Sequence, residues 1–209
     1  MAMKVPQIST EWLSPFRLSP FSLRFELGGE AFGNDAPVPR FVQAFGRARD
    51  VTRDVFSASQ QLLGIVALPV GSDQDFYAPA PDGFANLAEA GFGCQHFSEW
   101  AAPLWPDQEA EEDQVPSLWR AFDLSADYAA QDVLLWCAVS YEMAITPKAP
   151  VVSFLADLDR SILLHVYDDR GMDVTALEKQ RLLPTYEGRN EWLLAHDRPR
   201  MDQVFGPPS

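Results

Sequence analysis

The chain has 209 residues, 47% of them apolar and 12% aromatic, which supplies a packed core and excludes disorder throughout. Sixteen basic residues against thirty acidic ones give a net charge of −14, which disfavours direct binding to the phosphate backbone of DNA or RNA. No apolar run approaches the roughly 20 residues of a membrane helix, no signal-peptide stretch opens the chain, and Cys94 and Cys137 are too few for a disulfide framework, so the expectation is a cytoplasmic protein without a membrane partner.

Residues 1–20 hold three prolines and no periodicity, and read as a surface arm. Phe21, Leu23, Phe25 and Leu27 alternate with polar residues, which predicts a strand over 21–27 closed by Gly28 and Gly29. Phe41, Val42, Phe45, Ala48, Val51 and Val55 recur at helical spacing and predict an amphipathic helix near 39–57. The apolar run 61–69 reads as a buried strand. Residues 71–117 form a long loop-rich excursion, with a short helix near 83–90. A strand over 117–124 follows, then Ser125 as cap of a helix over 126–144 that Pro147 and Pro150 end. Strands over 151–157, 161–167 and 172–176 precede a helical stretch near 177–195. The order predicts one α+β domain over 1–209, a mostly antiparallel sheet with packed helices and a long acidic loop insertion.

Acidic residues cluster. From Glu99 to Asp132 there are nine, opposed by Arg120 alone, so this segment carries −8. A basic protein partner would be steered to such a field. Solubility is the plainer reading of the same charge. On the first reading, Glu109, Glu111, Glu112 and Asp113 supply attraction, and Trp100 and Trp105 are the anchors, unless they pack in the core.

"HVYDDRGMDV" sets Asp168, Asp169, Arg170 and Gly171 between two apolar runs. This is the chemistry of a type I turn closed by a left-handed glycine, which predicts positive φ at Gly171. Asp168 suits the turn as an acceptor of backbone amides. Arg170 is not required by turn geometry. A polar site of Glu26, Asp168, Asp169 and Arg170, in a small enzyme, is the alternative. Cys94 and His96 have no second ligand pair at zinc spacing, so neither metal nor cofactor is assigned. His165 alternates with Leu163 and Tyr167 and reads as a packed histidine, and Cys137 as a buried small hydrophobe. Phosphate-cradling and nucleophile-elbow motifs are absent from the sequence.

The order Tyr167, Asp168, Asp169, Arg170, Gly171, then Tyr186, Trp192, Leu193, Leu194, then Asp197, Arg198 and Phe205 resembles the bacterial domain-of-unknown-function family 3885. The "LRFELG" stretch holding Arg24 and Glu26, with the Arg-containing helix after it, is similar too. The resemblance is weak across 71–117. It implies no reaction. It does imply that the hairpin packs against the carboxy-terminal segment, with Arg170 or Arg198 paired to an acidic side chain of the other. Small bacterial domains of this kind resemble immunity proteins, which block toxins, and toxins acting on nucleic acid present basic clefts. The expectation is therefore an acidic module that binds a basic protein, a cognate toxin in its most concrete form.

Overall fold

The computed structural model describes residues 12–29, 31–69, 83–104 and 115–206. A short helix α1 (Ser14–Leu18) leads into strand β1 (Ser22–Glu26), followed by helix α2 (Pro37–Phe56) and strand β2 (Leu63–Pro69). Then come α3 (Gly83–Glu89), β3 (His96–Pro103), β4 (Pro116–Asp123) and α4 (Tyr128–Val139). Strands β5 (Val152–Asp157), β6 (Ile162–Val166) and β7 (Gly171–Ala176) precede α5 (Leu183–Gly188) and α6 (Arg198–Phe205). The strands form one antiparallel sheet in the order β1-β7-β6-β5-β2-β4-β3, so the fold is α+β as its sequence pattern indicates.

All six expected strands are present, and β3 is a seventh, inside the stretch expected to be loop. Three further expectations are corrected. The helix expected over 126–144 stops at Val139, because the chain turns at Ser140 and folds back, with the Trp136 indole donating to the Pro147 carbonyl at 2.8 Å. Its cap is Asp127, which accepts from the Ala130 amide; Ser125 instead accepts from the Leu62 amide. The helical stretch expected over 177–195 is broken into short turns around α5, with Pro184 in its first turn and Gly188 at its end.

One sheet face carries Leu23, Phe25, Val66, Phe122, Leu155, Leu164 and Val174 against α2 and α4. Helix α2 turns Phe41, Ala44, Ala48, Val51 and Val55 inward at helical spacing. Helix α4 is apolar on most sides, as a helix between a sheet and another helix must be. The other face packs Ile65, Trp119 and Phe154 beneath Leu13 and Phe16 of the amino-terminal arm. On that second face, rings step across the strands from Trp100 to Trp119 (5.9 Å), Phe154 (6.0 Å), His165 (4.5 Å) and Tyr167 (6.0 Å).

Strand polarity fixes what shares each end of the sheet. Because neighbours run antiparallel, Glu26, Gly171, Val166, Val152, Pro69, Pro116 and Pro103 all lie at one end. That end holds the β6–β7 hairpin. Segment 70–82 leaves from it at Pro69 and returns at Gly83, which packs on Leu68 and Val151. Segment 105–114 leaves at Leu104, whose amide donates to the Val115 carbonyl at 2.7 Å.

Candidate functional site

The hairpin is welded to the protein by two aspartates facing different partners. The Asp168 carboxylate accepts from the Arg170 amide at 2.7 Å and from its guanidinium Nε at 2.8 Å, a local turn of the kind aspartate favours. Arg170 Nη2 also reaches Glu142 at 3.2 Å. Asp169 points the other way, to an ion pair with Arg40 of α2 whose members are only 13% and 10% exposed. Arg40 also donates to the Phe32 carbonyl at 3.0 Å, and Arg47, about two turns along the same face, donates to the Glu26 carbonyl at 3.0 Å. Gln43 donates to the Gly28 carbonyl. Helix α2 thus caps the carbonyls at the end of β1.

Gly171 does not have positive φ; Gly29 and Gly91 are the glycines that do, among the described residues. Its need is space instead. A Cβ at Gly171 would run into the Tyr167 hydroxyl and come within 2.9 Å of the Phe25 carbonyl oxygen. The Tyr167 ring covers this bare position of the neighbouring strand.

The hairpin strand and the carboxy-terminal segment do converge, but through Arg24. Its guanidinium bridges Asp173 of β7 (2.7 Å) and Asp197 (3.0 Å). Arg170 and Arg198 do not make the expected cross-segment pair: Arg198 pairs locally with Asp202 at 3.1 Å and donates to the Asn190 carbonyl at 3.0 Å. The segment also covers the β1 edge, with the Leu194 amide donating to the Arg24 carbonyl at 2.9 Å. Trp192 lies beneath two guanidiniums, Arg189 at 4.6 Å and Arg47 at 5.5 Å from its ring centre. Glu26 shares the face of Arg24 and is the register partner of Gly171, while Asp168 pairs with Arg170 and Asp169 with Arg40.

Of the expected partner-binding residues, Trp105, Glu109, Glu111, Glu112 and Asp113 lie outside the described residues. Trp100 is half-buried, stacked on Trp119 as part of the second core. The described acids of the cluster are engaged internally: Glu99 with Arg120 at 2.7 Å, Asp123 accepting from the Ser125 amide at 3.0 Å, Asp127 as a helix cap and Asp132 with Arg53 at 3.6 Å.

Beneath the hairpin lies a cavity of about 230 Å³. It is lined by the apolar Ala138, Val151, Val152 and Val166, by Tyr141, His165 and Tyr167, and by the charged Glu142, Asp168 and Arg170. Residues of the resemblance motif therefore meet α4's end here, a convergence sequence spacing does not show. Burial pushes the His165 imidazole below its ordinary value, and its Nδ1 donates to the Ser153 carbonyl at 3.0 Å. Burial raises the Tyr167 phenol and keeps it protonated. A second cavity, about 440 Å³, lies toward the opposite end between α2 and α4, lined by Thr52, Arg53, Phe56, Ser125 and Tyr128 among others. Buried Cys137 has its thiol pushed up to about 11 by desolvation, so it is a packing residue. Among the described residues no cluster of His, Cys, Asp and Glu suits a metal ion, and no helix is long and apolar enough to cross a membrane.

A family model described as Domain of unknown function (DUF3885) matches residues 6–197. Neither the search of curated proteins nor that of solved structures returned a match.

Proposed function

The chain belongs to the DUF3885 family, and we propose that it is a protein-binding module whose hairpin end engages a basic partner. The observation that carries this reading is the placement of charge by topology. Segments 70–82 and 105–114 hold Asp73, Asp75, Asp82, Asp107, Glu109, Glu111, Glu112 and Asp113 and no basic residue, and both are rooted at the end of the sheet that bears the hairpin. Charge separated in sequence is thereby attached to one end, where a like-signed field steers a complementary protein.

The most concrete form is a toxin-neutralising immunity protein, supported by acidity and small size and by analogy with such modules. The alternative, a small enzyme with a polar site around the hairpin, would draw on Asp168 and Asp169 while they pair with Arg170 and Arg40 respectively. The test is binding to the product encoded beside this gene, for the wild type and for a variant with Glu109, Glu111, Glu112 and Asp113 made neutral. The reading expects binding, weakened in the variant chiefly through a slower on-rate. No binding to that product would overturn the toxin form, and equal on-rates would overturn the electrostatic one.

A further inference from the structure

We propose that the cavity beneath the hairpin is a site for one lysine or arginine side chain. This rests on the protein-binding reading and supplies its specific contact.

The size fits a side chain better than a metabolite. About 230 Å³ is below the usual range of small-molecule pockets, roughly 300–1,000 Å³, and leaves room for one extended side chain. The chemistry of the wall is graded. Val151, Val152 and Val166 offer apolar contact to an aliphatic stem, and Tyr141, which lines the same cavity, offers an aromatic neighbour to a cation. The rim supplies the counter-charge, two carboxylates against one guanidinium.

That balance selects the sign of the ligand. Glu142 and Asp168 against Arg170 leave the rim with one net negative charge, and His165 and Tyr167, both neutral, do not alter it. An anion would enter a negative site whose arginine already gives Nε and Nη2 to the two carboxylates. A cation meets the excess. The structure itself holds a guanidinium spanning these carboxylates, that of Arg170, whose side chain is 64% exposed. Arg170 is thus an internal stand-in, able to swing outward when an incoming side chain takes the carboxylates.

The test titrates Nα-acetyl-arginine amide into the ¹⁵N-labelled full chain, followed by amide chemical shifts. Nα-acetyl-citrulline amide, of the same shape without charge, and Nα-acetyl-glutamate amide are the comparison probes. The expected result is saturable shifts at Tyr141, Glu142, Val152 and Tyr167 with the arginine probe alone. Glu142→Gln, at an exposed rim position that leaves the fold intact, should weaken binding by about tenfold or more. Arg170→Gln should tighten it, since it frees both carboxylates. Absence of saturable arginine binding, equal binding of citrulline, preference for glutamate, or weaker binding in Arg170→Gln would each overturn the site. Arginine binding with no salt-dependent association to a basic protein would overturn the partner reading alone. Partner association unchanged by both variants would overturn this inference alone.

Discussion

Asp169 of the hairpin and Arg40 of α2 form a nearly buried ion pair across 129 residues of sequence. It joins the last hairpin of the sheet to the first long helix. Removing one member leaves the other charged, poorly solvated and unpaired, which costs far more than the pair contributes. Arg40→Ala should therefore destabilise by about 3–5 kcal/mol, read from urea unfolding. A loss below about 1 kcal/mol, the range of an exposed pair, would show that the weld is only superficial.

Gly171→Ala tests the steric reason for the glycine. With ordinary φ, alanine is not conformationally strained there, yet its Cβ collides with Tyr167 and crowds the Phe25 carbonyl. The expected cost is about 1–3 kcal/mol, the range for overpacking. Gly171→Ala combined with Tyr167→Ala should recover part of it relative to the Tyr167→Ala single variant. Strictly additive losses would contradict the contact.

His165 should couple stability to pH. Burial holds its folded-state pKa below the ordinary value of 6.5, so the unfolded chain binds more protons as pH falls beneath that value. Its contribution is fully present above about 6.5 and lost as pH falls toward the folded pKa. The unfolding free energy of the wild type should thus decline over that window more steeply than that of His165→Asn. Parallel profiles would remove the assignment.

Period-two alternation carried most of the sheet into view, since β1, β4 and β7 each bury one residue in two for much of their length. Strand β3 hides because its register shifts between His96 and Ser98, which breaks the alternation that would identify it. The overrun of α4 has a similar cause: Met143 is buried, but from the turn that follows the helix. At the site, the hairpin's residues were legible and their partners were not. Nothing near Asp169 in sequence points to Arg40, and nothing near Arg170 points to Glu142, because both pairings are made by tertiary packing. The shared end of the two acidic segments is likewise a product of strand order rather than of spacing.

Steering is tested most directly by the association rate with the product of the neighbouring gene at two salt concentrations. Raising salt from about 0.05 to 0.5 M shortens the Debye length from roughly 14 to 4 Å. Steering by the acidic end predicts an on-rate that falls by at least about tenfold over that range, with an off-rate that changes far less. An on-rate indifferent to salt would contradict the account.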